Sequence, residues 1–234
     1  MNKNKKILLL GDSITQYSND LKNNGWAIHL HEYFSGKADI LNRSREAHTT
    51  KSILPFVKEC FNKQNQDQYV GDVDMVIMTL GSNDASDPSK FVNKKWNQYT
   101  SLEEYEQNIN ELLNIFVNNN VKYILLVTPP QMNTDNWNKY STKYFKLPSD
   151  VKSYELMKSY ADKLIELKNK RTEKNIMLIN LWENKWGHTC FVDGLHLSKE
   201  GNKFFFNSLK NTIDSIDDMN PKKLKYNIPD FDFN

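Results

Sequence analysis

Five short apolar runs punctuate the chain, each parted from the next by a longer and more polar stretch. They cover residues 6–10, 38–41, 73–80, 121–127 and 176–181. The first ends at Gly11, the third at Gly81, and the fourth at Thr128-Pro129-Pro130; the second is the poorest. Continuous apolar runs of this length suit strands buried on both faces. Between them, apolar residues recur at helical spacing. Trp26–Tyr33 is one such stretch. Residues 102–116 form a clearer one, with Leu102, Tyr105, Ile109, Leu112, Leu113 and Phe116 along it and a Ser101/Glu104 capping box at its start. Residues 153–167 and 198–216 complete the set. Strands alternating with helices imply a parallel sheet covered on both faces, and right-handed crossovers turn it into a three-layer α/β/α sandwich. Ligand sites in such sheets lie at the carboxyl ends of the strands. Three polar clusters fall there: Gly11-Asp12-Ser13, the loop 42–50, and Gly81-Ser82-Asn83-Asp84.

Composition narrows the partners. The 234 residues suffice for one sizeable domain, and nothing marks a hinge. Residues 1–234 are therefore expected to form a single domain, with 217–234 as an extended C-terminal tail packed on it. The formal net charge is +2 and the lysines are scattered, which gives no electrostatic reason to expect nucleic acid or an acidic membrane. The Asn- and Lys-rich stretches 62–68 and 118–120 read as solvated loops. Cys60 and Cys190 match no zinc or CxxC spacing, so reduced thiols in a cytoplasmic protein are the default. The basic start is followed by only four apolar residues, Ile7 to Leu10, too few for a signal-peptide core. No run approaches the roughly 18 apolar residues of a membrane span. Oligomeric state is not legible.

The chemistry turns on Ser13, just past a buried strand at the start of a helix. A serine there is an ordinary N-cap in most proteins. The same position also turns a hydroxyl and a backbone N–H toward the active edge of a sheet, where a helix start favours developing negative charge. A serine hydroxyl needs a base to act as a nucleophile. Of His29, His31, His48, His188 and His196, only His196 has an evident partner, Asp193, three residues earlier. On a helical turn the two would share a face, giving the chain order Ser, Asp, His of a catalytic triad. Asn83, after a strand and a glycine, can offer its amide to an oxyanion; it also reads as a simple turn asparagine. The loop 42–47 can offer another backbone N–H.

Together, Gly11-Asp12-Ser13, Gly81-Ser82-Asn83-Asp84 and Asp193-Gly194-Leu195-His196 resemble the three main sequence blocks of the SGNH (GDSL-type) hydrolases. More closely, the chain looks like the isoamyl acetate-hydrolysing esterase branch. Residues 11–16, 81–85, Leu102-Glu103-Glu104-Tyr105, Thr128-Pro129-Pro130, Asn180-Leu181-Trp182, residues 193–206 and the tail Pro229-Asp230-Phe231 carry that similarity. The resemblance implies a flavodoxin-like α/β/α serine esterase with no metal or organic cofactor, acting on a small-molecule ester with a small or short acyl group. It implies Ser13 as nucleophile, His196 as base, Asp193 as orienting acid, and Ser13 N–H, Asn83 and a second-block N–H as the oxyanion hole. The family's second-block glycine is here Ala47, whose methyl is expected to crowd the acyl group or shift the loop. Arg43, Arg45 and His48 in the same block suggest a polar or anionic substrate. A thioesterase or lysophospholipase would use the same triad, and a catalytically silent α/β binding module would keep the scaffold alone. A carbohydrate O-acetylesterase finds no support, because no aromatic binding face is evident. Two polar stretches, 87–100 with Trp96 and Tyr99 and 133–144 with Trp137 and Tyr140, read as long loops able to shape a substrate mouth.

Overall fold

Ile7, Leu8, Leu9 and Leu10 are all fully buried, and they point alternately to two sides. Leu8 and Leu10 enter one hydrophobic cluster and Ile7 and Leu9 another, as a strand dry on both faces requires. In the computed structural model, which describes residues 4–91, 98–183 and 185–226, this run is β1 (Lys5–Gly11). Among the described residues it belongs to a five-stranded sheet with β2 (Ala38–Asn42), β3 (Met75–Thr79), β4 (Tyr123–Val127) and β5 (Ile176–Ile179). The order is β2-β1-β3-β4-β5 and every pairing is parallel. This is the α/β/α sandwich with a central parallel sheet that the hydrophobic pattern implies.

Among the described residues the α-helices are α1 (Ser13–Gln16), α2 (Trp26–Tyr33), α3 (Thr50–Cys60), α4 (Leu102–Asn118), α5 (Thr134–Phe145), α6 (Tyr154–Lys170) and α7 (Lys199–Asp214). Apolar residues of α3, α4 and α6 join Leu8, Leu10, Val76, Met78, Ile124 and Leu126 on one face of the sheet. Those of α2 and α7 join Ile7, Leu9, Ile77, Leu125 and Val127 on the other. Trp26 of α2 stacks on Phe205 of α7 with ring centroids 4.8 Å apart.

Two helices were not expected from the pattern. Pro55 inside α3 reads as a helix stop, and it does forgo the bond to the Lys51 carbonyl. A Thr49/Ser52 capping box and the buried face of Ile53, Leu54, Val57 and Cys60 hold the helix nonetheless. Helix α5 replaces the polar loop expected at 133–144. Its periodicity is faint because only Trp137 and Ser141 are buried, but Asn133 caps it by accepting from the Asn136 N–H. In the stretch 87–100 a 3₁₀ turn forms at Pro88–Lys90, and Trp96 lies outside the described residues. Met219 is fully buried, the Pro221 carbonyl receives Lys37 Nζ at 2.7 Å, and Lys37 also lies over the Tyr226 ring. Pro229-Asp230-Phe231 lies outside the described residues. Among the described residues no helix is long and apolar enough to cross a membrane.

Strand order positions the site. The chain passes to opposite sides of β1 in forming β2 and β3, so the crevice at the carboxyl ends of β1 and β3 is a topological switch point. Gly11 pairs with Thr79 there, and the segments carrying Ser13 and Asn83 emerge side by side.

Candidate active site

Ser13 is the first residue of α1, but it is not the cap. Asp12 is, and its Oδ1 accepts from the Ile14 N–H at 2.9 Å. The helix turns back tightly over the strand it leaves: a side chain at Gly11 would meet Thr15 Oγ1 at 2.3 Å and the Thr79 carbonyl at 2.7 Å. The Ser13 N–H has no intramolecular hydrogen bond among the described residues, as the start of a helix leaves it. Asp12 is completely buried. Burial raises its carboxyl to about 6 against the pull of the Ile14 N–H and the charges of His196 and Lys152.

His196 approaches from the far end of the chain. It sits in a loop closed by an antiparallel bridge between Phe191 and Leu197, with the Val192 N–H donating to the His196 carbonyl at 2.9 Å. The helical turn expected for Asp193 and His196 is therefore absent, and the carboxylate itself organises the loop. Asp193 Oδ1 accepts from the N–H groups of Leu195 (2.9 Å) and His196 (2.8 Å), while Oδ2 lies 2.6 Å from His196 Nδ1. His196 Nε2 lies 2.9 Å from Ser13 Oγ. With Nδ1–H donated to Asp193, Nε2 is left to accept the serine proton. Burial pushes the Asp193 carboxyl up, but the hydrogen bond and charge of His196 and the two N–H donors outweigh it and hold it below the usual range. Tyr17 and Trp137 flank the imidazole edge-on at 5.9 and 6.0 Å.

The remaining polar groups face the same cavity. Ala47 lies in the left-handed region at φ 63°, a conformation that suits glycine and costs an L-residue about 1–2 kcal/mol. The methyl has thus not moved the backbone out of a glycine-like shape, and the Ala47 N–H has no hydrogen bond among the described residues. The loop is held from α1 and the turn after it: Gln16 accepts from the Glu46 N–H, and the Tyr17 hydroxyl donates to the Glu46 carboxylate. That bond, with partial burial, pushes Tyr17 up to about 12. Asn83 Nδ2 donates one hydrogen to the His48 carbonyl at 2.9 Å; an amide nitrogen has two, and Asn83 lines the cavity.

The cavity measures about 530 Å³. Ser13, Ala47, Asn83, Asp193 and His196 all line it, so the structure brings together every site residue named from the sequence. It does not bring in Arg43, Arg45 or His48, and the acidic Asp20 and Glu46 line it instead. The basis for an anionic substrate therefore falls. Helix α5 supplies what the sequence concealed, an aromatic wall of Trp137, Tyr140 and Phe145. The argument against an O-acetylesterase from a missing aromatic face falls with it. Lys152, buried beside Asn83, is a further lining residue that no motif announced. Among the described residues no cluster of His, Cys, Asp and Glu could hold a metal ion.

A parallel α/β/α sheet with a serine, an imidazole and a carboxylate hydrogen-bonded in series at its switch point defines a serine hydrolase. The description "GDSL-like Lipase/Acylhydrolase" matches residues 7–209, and the chain belongs to that family. It is a carboxylic ester hydrolase. The GDSL esterase/lipase At5g45920 of Arabidopsis thaliana is 29% identical over 86% of this chain and 83% of its own. The isoamyl acetate-hydrolyzing esterase of Saccharomyces cerevisiae is 25% identical over 97% of this chain and 94% of its own. The crystal structure of a lipase/acylhydrolase from Enterococcus faecalis shares the fold, with TM-score 0.60 at 18% identity over 96% of this chain and 99% of that one.

Proposed function

We propose that this enzyme hydrolyses small, uncharged esters through an acyl-enzyme on Ser13. His196 Nε2 takes the hydroxyl proton as Ser13 Oγ attacks the ester carbonyl, and Asp193 fixes the tautomer and balances the imidazolium. The N–H groups of Ser13 and Ala47 and the Asn83 amide receive the oxyanion. His196 returns its proton to the departing alcohol, then deprotonates the water that attacks the acyl carbonyl and frees both the acid and Ser13. The observation that carries this reading is the hydrogen-bonded series Asp193 Oδ2, His196 Nδ1, His196 Nε2 and Ser13 Oγ, with steps of 2.6 and 2.9 Å, opening on the cavity.

The substrate class follows from the walls. Aromatic and aliphatic side chains favour an apolar ester, and Asp20 and Glu46 repel an anion. The name of the yeast relative, a hydrolase of isoamyl acetate, supports the same class. A cytoplasmic location fits Cys60 and Cys190, both buried and unbonded. Residues 1–234 are read as one catalytic domain.

Ser13→Ala is expected to abolish turnover of p-nitrophenyl acetate and covalent labelling by a fluorophosphonate. Full activity in the pure variant would overturn the assignment. A panel of p-nitrophenyl esters tests the substrate: acetate or butyrate should lead, and a preference for long acyl chains would move the enzyme to lysophospholipids or thioesters.

A further inference from the structure

Lys152 lies in the loop between α5 and α6 and is only 2% exposed. Its Nζ donates to the Ser82 carbonyl at 2.6 Å and to Ser86 Oγ at 2.8 Å, with the Asn83 carbonyl at 3.4 Å. Ser86 Oγ in turn donates to the Asn83 carbonyl at 2.8 Å. Every one of these acceptors belongs to the turn that follows β3 and carries Asn83. The Asn83 side chain is tied at its other end to the His48 carbonyl. A buried ammonium is a poor way to gain stability, since an apolar side chain of similar volume often does as well or better. What an apolar chain lacks is three donors converging on one turn.

We propose that Lys152 is a positioning residue for ester hydrolysis, clamping the turn 82–86 so that the Asn83 amide stays aimed at the developing oxyanion. The inference rests on the reading of Asn83 as an oxyanion donor. It deepens that reading by assigning the group that holds the donor in place.

The charge of Lys152 makes the clamp pH-dependent. It faces Asp12 at the start of α1 and Asp84 in the clamped turn; Tyr105 of α4 and Tyr160 of α6 lie about Asp84, and Asp193 and His196 stand in the loop before α7. Burial lowers the ammonium to about 8 against the attraction of Asp12 and Asp84. Burial drives Tyr105 and Tyr160 upward, away from this range. The neutral amine keeps two hydrogens but loses the charge that makes such bonds about twice as strong. Turnover should therefore decline as pH rises through about 8.

The test is kcat and KM for p-nitrophenyl acetate from about pH 6 to 10 in wild type, Lys152→Met, Asn83→Ala, the double variant and Ser86→Ala. Lys152→Met should lower kcat by about 10- to 100-fold with KM within about threefold, and should lose the alkaline decline of the wild type. Added to Asn83→Ala, it should cost less than about threefold more, because the group it positions is gone. Ser86→Ala keeps the lysine and removes one acceptor of its charge. It should lower kcat by about three- to tenfold and move the alkaline decline to lower pH. If Lys152→Met does not fold, Ser86→Ala decides, and an unchanged kcat and pH profile overturns the proposal. Wild-type kcat in a folded Lys152→Met, or losses that simply multiply in the double variant, overturn it too. Full activity in Asn83→Ala would instead overturn the oxyanion reading on which it stands.

Discussion

Gly194→Ala should damage catalysis and stability together, for reasons that can be put in ångströms. Gly194 has φ 99°, outside the range L-residues populate, and its carbonyl accepts from the Asn133 N–H at 2.7 Å. A Cβ there would lie 2.4 Å from the Trp137 nitrogen and 2.5 Å from the Asn133 carbonyl oxygen, both backbone atoms of the first turn of α5. Neither can swing aside as a side-chain tip would. Reaching ordinary contact requires the loop carrying Asp193 and His196 to part from α5 by about 1 Å. Backbone strain adds about 1–3 kcal/mol, and the bond to Asn133 is lost or stretched at about 1 kcal/mol. The sum of about 2–4 kcal/mol lowers Tm by roughly 5–15 °C in a domain of this size. The same displacement separates His196 from Ser13, and misplacement by about 1 Å can cost about 100-fold in rate. Initial rates on p-nitrophenyl acetate and a thermal melt measure both. A variant within twofold of wild-type kcat/KM and within about 2 °C in Tm would refute the packing argument.

Two further outcomes test the site and its surroundings. Ala47→Gly should keep kcat within about threefold, because the proposed donor is the backbone N–H and the conformation already suits glycine; a tenfold loss in steady-state assays would mean the methyl itself is needed. Asp12 and Asp84, each raised by burial from 3.8 to about 6, bind protons more tightly folded than unfolded. Their contribution is therefore full below about pH 4 and lost as pH rises through about 6, so stability attributable to them should increase on acidification from pH 7 to 5. Calorimetry of Asp84→Asn against wild type across that range should show a shallower pH dependence, and identical slopes would refute it.

The legible parts of the molecule are those where one physical pattern acts alone. The strands announce themselves because Ile7 to Leu10 or Met75 to Thr79 are dry on both faces, and α4 because its buried residues recur cleanly from Tyr105 to Phe116. Apolar runs nonetheless outlast the ladder. Val73 and Val121 are buried in the approaches to β3 and β4 without belonging to either strand, so the expected bounds were too long. Helix α3 was hidden by a proline whose cost is met by burial, and α5 by polar residues that face solvent. Ser13, Asn83, Asp193 and His196 could be named because each belongs to a short block whose order and approximate spacing resemble the family's. The local geometry of Asp193 could not, because its carboxylate builds a non-helical turn by accepting two N–H groups. Lys152 left no trace, since nothing in the order of residues says that a loop lysine will be drawn under a turn 66–70 positions away.

The pairing of Ser13 with His196 spans 183 positions of sequence. Near it, Asn202 of α7 accepts from the Trp26 N–H at 3.1 Å and donates to the Asn23 carbonyl at 3.2 Å, fastening the last helix to the first part of the chain. Synthesis runs from the amino end, so Ser13 leaves the ribosome long before its base has been made. On the proposed roles, a chain made only as far as β4 holds the serine and lacks its base. The helix that follows His196, α7, supplies Phe205, Leu209 and Ile213 to one hydrophobic layer of the sheet. With His196 as the proposed base, a chain cut short before residue 193 keeps Ser13 without the partner that would activate it, and it lacks the α7 side of that layer as well.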